Sequence, residues 1–133
     1  MTPTTSQQRI FWTQHQGVPY LMLDFSRATV AESLALMDDY AAALKGQPAS
    51  SVRMLSDVTD AHYEPSVANK WKAIRIQNDA VIKASAIYGL SGLVGVAIRA
   101  FLELLDMLGM NRSQKKLRIF KNRESALTWL VKA

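Results

Sequence analysis

The chain has 133 residues, 49% of them hydrophobic and 20% charged, which predicts one soluble globular domain large enough to bury a core. It contains no cysteine, which excludes disulfides, thiolate nucleophiles and cysteine-based zinc sites. The formal net charge of +5 is concentrated at one end: residues 1–110 hold 9 Lys+Arg against 10 Asp+Glu, and residues 111–133 hold 7 against 1.

Residues 1–8 lack the basic start and apolar core of a signal peptide and read as a flexible polar tail. Residues 9–133 read as a single domain. Arg9–Gln14 and Val18–Phe25 are rich in aromatic and branched residues and flank His15-Gln16-Gly17, the pattern of a β-hairpin, with Pro19 favouring an edge or a strand start. Thr29 followed by Glu32 is a capping box, and Leu34, Met37, Ala41 and Leu44 continue at helical spacing until Gly46 and Pro48. Val52–Val58 predicts a strand with Asp57 at its end. Pro65 then opens a helix whose Val67, Trp71 and Ile74 share a face.

Ile82–Tyr88 predicts a fourth strand and leads into Gly89–Met110, the most apolar stretch of the chain. Arg99, Glu103 and Asp106 recur within it at i, i+4 and i+7, one stripe of a helix. Three charges inside a bilayer would each cost several kcal/mol, so this is an amphipathic helix and not a membrane span. Gly89, Gly92 and Gly95 match neither the dinucleotide nor the P-loop spacing. They read as a strand-to-helix turn, with Gly95 allowing close helix packing. The apolar arc of this helix is wider than one core contact needs. Val94, Ile98, Phe101 and Leu105 are therefore candidates for a dimer surface or an apolar ligand site. Leu117–Phe120 predicts a fifth strand, and Asn122 caps a last helix bearing Ala126, Leu127, Leu130 and Val131.

The order β-β-α-β-α-β-α-β-α predicts an α/β fold with a five-stranded mixed, mostly parallel sheet, an N-terminal antiparallel hairpin and four helices. Ligands of such sheets gather at the C-terminal strand ends, here Asp57, Thr59, Asp60, Tyr88 and Ser91, with Ser66 and Gly92 at helix starts. Asp57, Asp60, His62 and Glu64 have the residue types of a metal or acid–base cluster, but loop carboxylates also form turns and caps. No catalytic motif is present, and no metal or cofactor is expected. Trp12, Trp71, Trp129 and five methionines, Met107 among them, read as core. Arg112, Lys115, Lys116, Arg118 and Lys121 form a candidate anion patch, weighed against a solvated face. They lack the aromatic interleaving of a nucleic-acid platform, so no nucleic-acid partner is expected.

The run IYGLSGLVGVAIRAFLELLDMLGM, a strand ending Ile119-Phe120, and the helix signature Glu124, Ala126-Leu127, Trp129-Leu130 resemble the SpoIIAA-like proteins of the STAS (sulfate transporter and anti-sigma-factor antagonist) superfamily. The resemblance spans roughly residues 9–132 and rests on core and cap positions. It implies a cytoplasmic, non-enzymatic bacterial module that interacts with a regulatory protein partner. In anti-sigma antagonists a serine near the helix after the third strand is phosphorylated, in a D-S-S-G motif. This chain reads Asp57-Val58-Thr59-Asp60 there, with Ser66 near the helix start. At the level of fold alone, such proteins are similar to Sec14/CRAL-TRIO domains, which implies a lipid-like ligand held between sheet and helices. A homo-oligomer, in its simplest form a dimer through the apolar helix, is the other expectation.

Overall fold

The computed structural model describes residues 9–109 and 116–133. Residues 1–8 and 110–115 lie outside it, and with them Met110, Arg112 and Lys115. Strands β1 (Ile10–His15), β2 (Val18–Asp24), β3 (Val52–Asp57), β4 (Ile82–Tyr88) and β5 (Leu117–Phe120) alternate with helices α1 (Val30–Leu44), α2 (Pro65–Gln77), α3 (Gly92–Met107) and α4 (Arg123–Leu130). A 3₁₀ turn, Asp79–Val81, which the sequence pattern did not reveal, precedes β4. The sheet order is β1-β2-β3-β4-β5, with β1–β2 antiparallel and the remaining pairs parallel.

Local chemistry explains each boundary. Gln16 (φ 52°) and Gly17 (φ 80°) close the hairpin with both central residues at positive φ, the turn that matches strand twist. At α1 the Glu32 N–H donates to Thr29 Oγ1 (3.1 Å) and the Thr29 N–H to Glu32 Oε1 (2.9 Å), so the expected capping box forms. The Ser125 N–H donates to Asn122 Oδ1 (2.9 Å) at α4. Thr29→Ala or Asn122→Ala should each lower stability by about 1 kcal/mol in urea denaturation, since each strands an amide donor at a helix start.

Each new parallel strand is added on the same side of the last. Right-handed crossovers then place every connecting helix on one face. Accordingly α1, α2 and α3 cover one face, packing Leu36, Tyr40, Ile74, Phe101 and Leu105 on Leu21, Leu23, Met54, Ile82 and Ile87. The last helix, α4, covers the other, packing Ala126, Leu127 and Leu130 on Tyr20, Met22, Leu55, Ala84 and Ala86. Arg53 ties α4 down: its guanidinium donates to the carbonyls of Leu130 (3.1 Å) and Ala133 (3.0 Å), where a cation suits a helix C-terminus.

Three sequence expectations are corrected. Trp12 is 49% exposed, because β1 is an edge strand and its outer flank meets no further strand. Met107 is 84% exposed on the outer side of α3. A Cβ at Gly95 would meet Leu90 Cβ at an ordinary 3.7 Å, so close packing does not require this glycine. Arg75, which no sequence signal singled out, is fully buried beside the Trp71 side of α2.

Candidate functional site

Two features occupy the C-terminal strand edge. The first is a polar row. Asp24 of β2 pairs in register with Asp57 of β3, Asp57 with Tyr88 of β4, and Tyr88 with Phe120 of β5. Both aspartates fold their own loop. Asp57 Oδ1 accepts from the N–H (3.0 Å) and hydroxyl (2.6 Å) of Thr59, and Asp24 Oδ1 does the same for Ser26 (2.9 and 2.5 Å). These are Asx-type turns. The Tyr88 hydroxyl donates to Asp57 Oδ2 (3.1 Å). Burial and the neighbouring Asp57 charge push the Tyr88 phenol up from its ordinary range, more strongly than Arg123 pulls it down. Arg123 also donates to the Tyr20 hydroxyl (3.1 Å).

Asp57 is thus a loop anchor with both oxygens engaged. Asp60, Ser66 and Ser91 are exposed, Asp60 with φ 53°. Ser66 lies in the first turn of α2. Ser91 occupies the N-cap position of α3 without a side-chain cap bond. His62 and Glu64 stand exposed on the loop between β3 and α2. Among the described residues no group of three or more His, Asp or Glu is placed to hold a metal ion.

The second feature is an apolar cavity of about 60 Å³ beneath α2 and α3. The strand ends supply its floor, with Phe25, Val58 and Ile87. Met37 of α1, Trp71 of α2, and Val94 and Ile98 of α3 supply its walls. His62, Tyr63, Glu64 and Lys72 line its mouth. Trp71 meets Phe101 edge-on, ring centroids 5.0 Å apart, which fixes the indole as a wall. Ala61, Ala68 and Ala97 also border the space. Small side chains there leave unfilled volume that larger ones would close. One water needs ~10–15 Å³ on this measure, so the cavity has room for about four to six water-sized groups. An apolar cavity favours a hydrocarbon over water.

The expected apolar surface therefore divides. Val94 and Ile98 line the cavity, whereas Phe101 and Leu105 are 1% and 0% exposed in the core. The open side of α3 carries Leu93, Val96, Leu104, Met107 and Leu108 instead. Helical spacing showed a wide arc, but not which part of it the sheet would take. Arg99, Glu103 and Asp106 are exposed as one stripe.

The basic residues of the described region do not converge. Lys116 binds the Asp79 carboxylate (3.2 Å) and carbonyl (2.7 Å) at the start of β5. Arg118 lies 5.6 Å from the Phe120 ring. Lys121 sits beyond the other end of β5 and, with Arg99, lines a separate, more polar cleft of about 450 Å³.

A search of solved structures places this architecture. An uncharacterized protein of the DUF3478 family with a SpoIIAA-like fold, from Shewanella loihica PV-4, matches with a TM-score of 0.63 over 91% of each chain at 19% identity. The chain has the SpoIIAA-like fold. An anti-sigma-factor antagonist (STAS) domain protein from Planctomyces limnophilus aligns over 90% of this chain and 97% of its own, at 16% identity and a TM-score of 0.43. At that score it adds nothing to the assignment. No protein-family model matches the sequence, and no curated protein matches it significantly. Among the described residues of this SpoIIAA-like domain, no helix is long and apolar enough to cross a membrane.

Proposed function

We propose that this domain is a non-enzymatic binding module whose cavity takes a small apolar or amphipathic molecule, its hydrocarbon part between α2, α3 and the sheet. The observation that carries the reading is the apolar cavity at the strand ends, bordered by three alanines and walled by Trp71. The same position serves ligands in open α/β sheets generally. Its mouth bears Lys72, His62 and Glu64, where a polar head would remain in water while the tail enters. A short chain fits the cavity as it stands, and a longer one requires α2 or α3 to shift outward.

The test is a titration with straight-chain fatty acids of increasing length, read by thermal shift, beside native mass spectrometry of protein from cells. Saturable binding should raise the midpoint, because a ligand at 100 times its Kd adds about 2.7 kcal/mol to stability. Ala68→Leu combined with Ala97→Leu should fill the space, keep the fold and abolish the shift. No saturable binding at any chain length, together with a bare native mass, would refute the reading.

A regulatory protein-interaction role is the second reading. The observation favouring it is Ser66, exposed in the first turn of α2 beside the cavity mouth. A phosphate there would meet the positive end of the helix. Phosphopeptide mapping of the protein from cells decides it: phosphate on Ser66 or Thr59 supports regulation, and none on either removes its motivation.

A further inference from the structure

Five of the nine large apolar side chains that are exposed among the described residues lie on or just beyond α3: Leu93 (66%), Val96 (66%), Leu104 (40%), Met107 (84%) and Leu108 (56%). Single exposed apolar residues are ordinary, but a contiguous set on one element marks an interaction surface. The arrangement also has a centre. Leu93 and Met107 lie seven residues either side of Ala100, and Val96 and Leu104 lie four either side. All fall within one arc of the helix at 100° per residue. Ala100 is exposed and small, so a second helix can approach closely where the two cross.

We propose that this face is the contact between two copies of the chain, α3 packing antiparallel on α3 about a two-fold axis at Ala100. Under that operation Leu93 faces the partner copy's Met107, Val96 faces its Leu104, and Ala100 meets itself. An isologous contact requires such self-complementarity. The charges agree. Arg99 and Glu103 flank the apolar arc on the same side, and in an antiparallel pair equivalent flanks face each other. Each Arg99 then lies opposite a Glu103, twice per dimer. A parallel two-fold pair would instead put the two Arg99–Glu103 flanks on opposite edges of the seam, where they cannot meet. With Lys121 beside Arg99, the stripe of Arg99, Glu103 and Asp106 carries no excess of positive charge to attract an acidic bilayer. This contact is independent of what fills the cavity, so either can fail alone.

The test uses the full-length chain in sedimentation velocity over a wide concentration range. Wild type should dimerise reversibly. Arg99→Glu alone and Glu103→Arg alone should each weaken the dimer by about tenfold, since each turns two attractive pairs repulsive, and the double reversal should restore it. Both positions are exposed, and circular dichroism should show the fold unchanged. Ala100→Cys gives the chain a single thiol. Two thiols at the axis should oxidise readily to a disulfide-linked dimer, whereas Gln14→Cys on the exposed edge strand should remain monomeric. A monomer at every concentration would overturn the proposal, as would a dimer indifferent to both reversals. So would a monomer that floats with neutral or acidic phospholipid vesicles and releases them on Val96→Asp, because the face would then belong to a lipid surface.

Discussion

Asp79→Asn should destabilise the domain by about 3–5 kcal/mol, the cost of leaving a buried charge without its counter-ion. The Arg75 side chain is 0% exposed, and its Nη1 donates to Asp79 Oδ1 at 2.6 Å, while Nε and Nη2 find no partner. The nearby Tyr40 hydroxyl is also buried without a hydrogen bond. Burial raises the Tyr40 phenol well above its ordinary value even though the Arg75 charge lowers it. One carboxylate therefore supports a guanidinium that is otherwise poorly satisfied. Arg75→Met removes the charge and its idle donors while roughly keeping the volume. It should cost far less than Asp79→Asn, or nothing, and should rescue it in the double variant. Urea denaturation of the four proteins measures the order.

The same pair predicts an acid limb. Burial raises the Asp79 carboxyl, but hydrogen bonds and charge from Arg75 and Lys116 outweigh it and hold the group below its usual value of 3.8. A carboxyl depressed in the folded state contributes its full stabilisation above the unfolded pKa. That contribution is lost as pH falls below about 4 through the folded pKa. Wild type should therefore lose stability more steeply than Asp79→Asn on acidification, and the gap between the two curves should narrow.

Arg75 also shows where the sequence stops being legible. The order of elements, both side-chain caps, Pro65 at a helix start and the charged stripe of α3 are local signals. Each depends on spacing along one segment, and each is present in the structure. Arg75 shares its segment with Lys70, Lys72 and Gln77, and no local spacing marks it as internal. Its counter-ion, Asp79, comes from the 3₁₀ turn that follows α2, which the sequence pattern did not reveal. The cavity is likewise a tertiary product. Ala61, Ala68 and Ala97 are unremarkable one by one, and become a space because a loop and two helices bring them over the same strand ends. Trp12 fails for the converse reason: its pattern is that of a buried strand, but an edge has no neighbour to bury it.

Gly89→Ala should cost at least about 3 kcal/mol and lower the thermal midpoint by about 10 °C. Two effects combine at this residue. Its φ of +86° is a conformation that side chains resist. A Cβ there would also collide with Thr59 Oγ1 and lie 2.8 Å from Thr59 N. The second contact is with backbone, so no rotamer change relieves it. Thr59 cannot simply retreat, because Asp57 Oδ1 holds its amide and hydroxyl, and its carbonyl accepts from the Arg27 N–H (2.8 Å). Moving it disturbs the loops after β2, β3 and β4 together, and with them the floor of the cavity at Val58. Two other glycines separate the causes. Gly92 (φ +54°) has open space around it, so Gly92→Ala bears the conformational strain alone, roughly 1–2 kcal/mol. Gly95 is helical with room for a methyl, so Gly95→Ala should gain up to about 1 kcal/mol. If Gly89→Ala costs no more than Gly92→Ala, backbone conformation and not the Thr59 contact governs this edge. If Gly89→Ala stands apart, the strand-end loops are locked by that single close approach, and ligand affinity in this variant should fall with stability.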